Sequence, residues 1–133
     1  LKKYKILVTV LVVFAFLLSS CDNDLKNLFR FRNNSQSDLT INFRGNHYQV
    51  SAGTVYDIKD TPKGTYEYST IYRLPAGVKS YSSEGELSGQ VDFQQGTTAL
   101  IIYTSTYLDS AYTIFATLTT NTDLSDTEGV TAP

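Results

Sequence analysis

Leu39-Thr40-Ile41-Asn42-Phe43-Arg44-Gly45-Asn46-His47-Tyr48-Gln49-Val50 decides the fold of this chain. Leu39, Ile41 and Phe43 alternate with Thr40, Asn42 and Arg44, the period of two that a half-buried strand requires. Gly45-Asn46 breaks the alternation, and Gly accepts the positive φ of a two-residue hairpin turn without strain. Tyr48 and Val50 then resume it. Two antiparallel strands joined by a tight turn are predicted here.

The same pattern extends in both directions. Upstream, Phe29 and Phe31 alternate with Arg30 and Arg32. Downstream, Ala52-Gly53 leads to Tyr56 and Ile58, and Thr61-Pro62-Lys63-Gly64 is a turn in which Pro fixes φ and Gly supplies freedom. Tyr66, Tyr68 and Tyr72 share one face of the next strand. Leu87, Val91 and Phe93 oppose Glu86, Ser88, Gln90 and Asp92 on another. The run from Ala99 is apolar on both faces at its start, as a central strand would be. Leu108-Asp109-Ser110 turns the chain into Tyr112, Ile114, Ala116 and Leu118. No window carries a helical period. About eight strands with short connections predict an all-β domain over residues 28–120, an antiparallel sandwich, with a small antiparallel barrel as the alternative. Residues 121–133 are polar and acidic, and a loose tail is expected there.

Composition narrows the function classes. At 133 residues the chain suits one domain with an appendage. Eleven Lys and Arg stand against thirteen Asp and Glu, so no basic footprint for nucleic acid exists. One Cys forbids an internal disulfide, and one Cys with one His argues against a zinc site, so no metal or cofactor is expected.

The first residues read as an address. Lys2, Lys3 and Lys5 precede an apolar run over residues 6–18 broken only by Thr9, the size of a signal-peptide core and too short for a comfortable bilayer span. Leu18-Ser19-Ser20-Cys21 follows directly, placing the lone Cys after two small residues. This resembles the lipobox of bacterial lipoproteins, in which a diacylglyceryl group is attached to the Cys thiol and a peptidase cuts just before it. The resemblance implies a signal peptide over residues 1–20, lipid on Cys21, a tether over residues 21–27 and a membrane-anchored place in the bacterial cell envelope. Two or three acyl chains hold a protein durably where one does not. Losing Lys2, Lys3 and Lys5 leaves the remainder more acidic, so anionic-lipid attraction is not the anchor. Asp22 resembles an inner-membrane retention signal of enteric bacteria, and the leaflet stays open.

Ile58-Lys59-Asp60-Thr61-Pro62-Lys63-Gly64-Thr65-Tyr66 resembles a turn of transthyretin-like and immunoglobulin-like bacterial modules. In those a Pro-x-Gly turn feeds a strand bearing a buried Tyr. The likeness implies a sandwich, with Tyr66 or Tyr68 as a tyrosine-corner residue whose hydroxyl pins a neighbouring loop.

Catalysis finds little to stand on. His47 is the only imidazole and reads as a solvated residue beside a turn. Glu84 and Glu86 would lie on one strand face about 7 Å apart, a spacing open to paired carboxylates, yet nothing nearby would bury one and raise its pKa. Asp22-Asn23-Asp24 lacks the Gly and the terminal Glu of a calcium loop. A non-catalytic binding module is therefore expected. Its partner would be another protein, with a carbohydrate- or small-ligand-binding domain and an envelope-anchored inhibitor of a lysozyme-type hydrolase as alternatives. Tyr66, Tyr68 and Tyr72, with Tyr103 and Tyr107, offer either a stacking platform or ordinary core filling. If every connection reverses direction, the loops at residues 34–37, 52–53, 74–84 and 108–110 lie far from the tether. The longest of these carries Val78, Lys79 and Tyr81, the expected binding surface, with residues 34–37 beside it.

Overall fold

The computed structural model of the chain describes residues 26–122. Nine strands follow one another: β1 (Leu28–Asn33), β2 (Leu39–Phe43), β3 (Asn46–Val50), β4 (Val55–Lys59), β5 (Gly64–Tyr72), β6 (Ser80–Gly85), β7 (Ser88–Phe93), β8 (Thr97–Leu108) and β9 (Ala111–Thr122). They form two sheets, a five-stranded one in the order β4-β1-β8-β9-β6 (sheet A) and a four-stranded one in the order β3-β2-β5-β7 (sheet B). The architecture is a β-sandwich with two open-edged sheets, not a closed barrel. The signal peptide, the lipobox and residues 123–133 lie outside the described residues, whereas Asn121 and Thr122 belong to β9.

Alternation places the core where the sequence predicts it. Phe29 and Phe31 of β1, Ile41 and Phe43 of β2, and Ile101 and Tyr103 of β8 are wholly or almost wholly buried between the sheets. Phe29 is the hub. Its ring stands edge-on to Phe43, Tyr68 and Phe93 of the opposite sheet at centroid distances of 5.0, 5.9 and 5.5 Å. Such edge-to-face pairs add about 0.5–1.5 kcal/mol each beyond burial.

Two hairpins are as tight as their sequences ask. Phe43 pairs with Asn46, so the turn is Arg44-Gly45, one residue earlier than Gly45-Asn46, with φ of 53° and 79°. Leu108 pairs with Ala111 across Asp109 and Ser110, at φ of 51° and 65°. Positive φ at both central residues is the geometry whose twist matches the flanking strands.

The pairing is less uniform than an antiparallel reading expects. β1 runs parallel to β8, and β6 runs parallel to β9, while the remaining pairings are antiparallel. The second parallel pair has a local cause. β6 and β7 follow the same direction, and the chain leaves sheet A after Gly85 to join sheet B at Ser88. The two strands are one ribbon that changes sheets half-way down the flank. Residues 80–85 are therefore strand, and the long connection shrinks to residues 73–79.

Because the ribbon does not reverse, the strand directions divide the loops into two sets. Residues 34–38, 51–54, 73–79 and 109–110 gather at one end, and residues 44–45, 60–63 and 94–96 at the other. Asn27 and Thr122 belong to the second end, where both meet Thr97. The Asn27 side chain accepts from the Thr97 N–H at 2.7 Å, and the Thr97 and Thr122 hydroxyls lie 2.9 Å apart.

Candidate functional site

The end away from Asn27 and Thr122 is held rigid by buried polar groups. Asn33 is the last residue of β1, and its fully buried amide donates to the carbonyls of Ser37 (2.7 Å) and Val50 (3.0 Å). Its oxygen accepts from the Ser35 N–H (3.0 Å) and hydroxyl (2.6 Å). Ser37 in turn shares a 2.5 Å hydrogen bond with the hydroxyl of Tyr112. A buried network so satisfied fixes one backbone path. The loop at residues 34–37 consequently turns Ser35 and Ser37 inward, leaving Asn34 and Gln36 outside.

The connection at residues 73–79 is pinned along its length. The Arg73 N–H donates to the Asp38 carbonyl (3.1 Å), the Tyr107 hydroxyl to the Ala76 carbonyl (3.0 Å), and the Lys79 N–H to the Ser110 carbonyl (2.8 Å). Val78 packs against the core, so it supports the loop more than it presents it. Lys79 is exposed, and Tyr81, the second residue of β6, is 64% exposed. Of the predicted binding residues the structure thus brings Lys79 and Tyr81 to the surface, joined there by Leu74 of the same connection.

Tyr66, Tyr68 and Tyr72 do share one face of β5, and that face looks inward. Tyr68 is buried, and Tyr66 and Tyr72 are half-buried against the core. A stacking platform on this face is corrected to core filling, because the outer face of β5 carries Thr65, Glu67, Ser69 and Ile71 instead. The hydroxyls of Tyr66, Tyr68 and Tyr103 each find a partner, as buried phenols generally do. Tyr66 donates to the Pro62 carbonyl at 2.8 Å, four residues upstream, in the manner of a tyrosine corner. Tyr68 donates to the Glu86 carbonyl at 2.7 Å, and Tyr103 shares a 2.6 Å hydrogen bond with Thr70. Burial pushes Tyr68 up to about 12, with the Glu86 charge adding to it, and raises Tyr103 in the same direction.

The residues weighed for catalysis are placed apart. His47 is exposed on the outer face of sheet B, hydrogen-bonded through Nδ1 to the Asn42 side chain. Glu84 and Glu86 do not share a strand face, since Gly85 between them has φ of 90° and ends β6. The Glu86 carboxylate accepts from the Leu118 N–H at 2.9 Å, continuing the edge of β9 after β6 has departed. Among the described residues no three His, Cys, Asp or Glu side chains converge on a point.

At the opposite end a cleft of about 290 Å³ opens between Lys26, Asp60, Lys63 and Gln95, with the buried Thr61 in its lining. Its charged lining is two Lys and one Asp, and the Thr61 hydroxyl is buried there without a hydrogen-bond partner. Sequence reasoning missed Asn27, Asn33 and Thr97 as structural pins, because a polar residue in a polar run gives no sign of burial. No protein-family model matches the chain, and no curated protein does either.

Proposed function

We propose that this chain is a lipid-anchored lipoprotein of the bacterial cell envelope whose sandwich works by contact with another protein, not by chemistry. Cys21 carries the lipid, residues 1–20 are the signal peptide that is removed, and Lys79 and Tyr81 are the centre of the contact surface. The observation that carries this reading is the polarity of the sandwich. Asn27 and Thr122 meet at Thr97, at the opposite end from the pinned loops at residues 34–38 and 73–79. The handful of residues between Cys21 and β1 reaches roughly 20 Å at most. A domain so tethered stands with the rigid loop end away from the bilayer. Tyr at such a place offers area and a polar tip at small entropic cost.

Two measurements test it. Cys21→Ala should abolish incorporation of a labelled fatty acid, and undiminished labelling would refute the anchor. A photo-cross-linking residue at Tyr81 in intact cells should trap one protein, and one at Thr40 on the outer face of sheet B should not. Equal yields at both positions, or none at Tyr81, would refute the contact surface.

A further inference from the structure

Thr61 is 3% exposed, and its hydroxyl is the one buried side-chain oxygen or nitrogen among the described residues that meets no hydrogen-bond partner. Nearly every buried polar group in a folded protein is paired, so the exception points to something the polypeptide does not itself supply. The backbone on either side of it is fixed. The Asp60 N–H donates to the Asn27 carbonyl at 2.9 Å, and the Thr61 carbonyl accepts from the Asn27 side chain at 2.8 Å. The Pro62 carbonyl accepts from the Tyr66 hydroxyl at 2.8 Å. The same Asn27 side chain takes the Thr97 N–H at 2.7 Å, so the loops at residues 60–63 and 94–96 are fastened to a common post. A β-branched side chain on such a loop has little χ1 freedom with which to find a partner elsewhere.

Thr61 lines the cleft of about 290 Å³ together with Lys26, Lys63, Gln95 and Asp60. Lys26, Lys63 and Gln95 are exposed. Among the described residues the single ion pair joins Arg30 to Asp57, so neither lysine of the cleft is matched by a carboxylate there. Two ammonium groups against one carboxylate leave the lining with an excess positive charge.

We infer that this cleft binds a phosphate group. Lys ammonium groups act on phosphate as compact point charges with three donors each. The Gln95 amide and the Thr61 hydroxyl are neutral donors, and an anion with several acceptor oxygens can use both kinds at once. A cation would find one carboxylate and two repelling ammonium groups. A lone water would satisfy the hydroxyl but leave the lysines unmatched, and it fills only about 30 Å³. The cleft lies at the small end of the range for ligand pockets, which suits a phosphate with a short substituent. Two sources offer that chemistry, a phospholipid headgroup and a free phosphate in water. The cleft sits at the Asn27 end of the sandwich, where the tether begins, so a headgroup is within reach; this point alone rests on the anchor proposed above.

The test is a titration of the isotope-labelled full chain, extracted in an uncharged maltoside detergent and followed by amide NMR. Inorganic phosphate at constant ionic strength should shift the amides of Lys26, Thr61, Lys63 and Gln95 together and saturate with a Kd of about 1 mM. Absence of a saturable shift, or equal shifts with acetate, overturns the inference. Thr61→Val keeps the shape and removes the hydroxyl. It should weaken phosphate at least about fivefold and leave the urea midpoint unchanged or higher, since no partner is lost. A lowered midpoint with phosphate affinity unchanged would assign the hydroxyl to a structural water and end the proposal. Lys63→Gln should weaken phosphate by a similar factor. Asp60→Asn should tighten it, and Asn tolerates the φ of 60° at that position; weaker binding in Asp60→Asn would refute the charge argument. A short-chain phosphatidylglycerol below its micelle concentration separates the sources. Tighter binding than inorganic phosphate assigns the cleft to a headgroup, and weaker binding assigns it to free phosphate. Cys21→Ala keeps this inference apart from the anchor: it should lose the lipid and still bind phosphate, whereas a lipidated chain that ignores phosphate counts against the cleft alone.

Discussion

Gly85 passes the β9 backbone so closely that a Cβ built on it would overlap the Ala116 carbonyl oxygen. With φ at 90° it also occupies a region that L side chains rarely adopt. Both demands arise from one event, the transfer of the chain from sheet A to sheet B. The Glu86 N–H still donates to Ala116 at 2.8 Å, and its carboxylate then takes the Leu118 N–H, so the ladder is extended beyond the point where the strand leaves. Gly85→Ala should therefore cost at least about 2 kcal/mol, through backbone strain and overlap together. A lowered urea midpoint checks this, and an unchanged midpoint would mean that the switch bends elsewhere.

Asn33 predicts a second sensitive position. Replacing it with Leu keeps the volume but removes both donors from the Ser37 and Val50 carbonyls and the acceptor from Ser35. Leaving such buried groups unpaired costs about 2–4 kcal/mol. Ser37→Ala, which strips one hydroxyl partner from Tyr112, should cost only about 1 kcal/mol. Chemical denaturation of the pair should rank them in that order.

How much of this was legible depends on what periodicity carries. Phe29, Ile41, Phe43, Val91 and Ile114 were readable as core because a strand buried on one face repeats every two residues, whereas Ile101 sits in a run apolar on both faces, where the period marks neither. Tyr66, Tyr68 and Tyr72 were readable as one face, but the period alone does not say whether that face looks in or out. β6 was not readable at all. Ser80-Tyr81-Ser82-Ser83-Glu84-Gly85 is exposed at every residue and has no apolar alternation, so it is a strand only because the edge of β9 offers it unpaired backbone groups. The parallel pairing of β1 with β8 likewise joins segments about seventy residues apart, and no local signal encodes it. At the candidate contact surface, Lys79 and Tyr81 were legible as residues of a long connection. That Val78 would turn inward was not, since an apolar residue in a loop reads the same whether it packs or protrudes.

The acid limb of stability should carry the mark of Arg30. Hydrogen bonds from its guanidinium, aided by its charge and that of Lys59, hold the Asp57 carboxyl below the usual carboxylate range, against a smaller upward push from burial. A depressed folded value means that the contribution is present above the ordinary carboxylate pKa and lost as pH falls through the lowered one. Asp57→Asn should make the decline of stability in acid shallower while changing the neutral value little, because both side chains remain partly solvated. Urea midpoints across the acid range check it, and an acid decline as steep in the variant would show that other carboxylates govern it.

The alkaline limb should belong to the inward tyrosines. A phenol in the unfolded chain ionises near pH 10, whereas Tyr68 in the fold holds its proton to about 12 because burial disfavours the phenolate and the Glu86 charge adds to that. Between those values the unfolded chain binds fewer protons than the folded one, so stability is complete below the unfolded value and falls as pH rises toward the folded one. Tyr103, raised by burial and only partly offset by its hydrogen bond with Thr70, acts in the same sense. Tyr68→Phe keeps the ring that stands edge-on to Phe29 at 5.9 Å but removes the donor from the Glu86 carbonyl. It should cost about 1 kcal/mol near neutrality and make the alkaline decline shallower, with Tyr103 supplying what remains. Urea midpoints at successive pH values, read beside tyrosinate absorbance of the folded chain, measure both effects. A decline equally steep in Tyr68→Phe would assign the alkaline limb to groups outside the core.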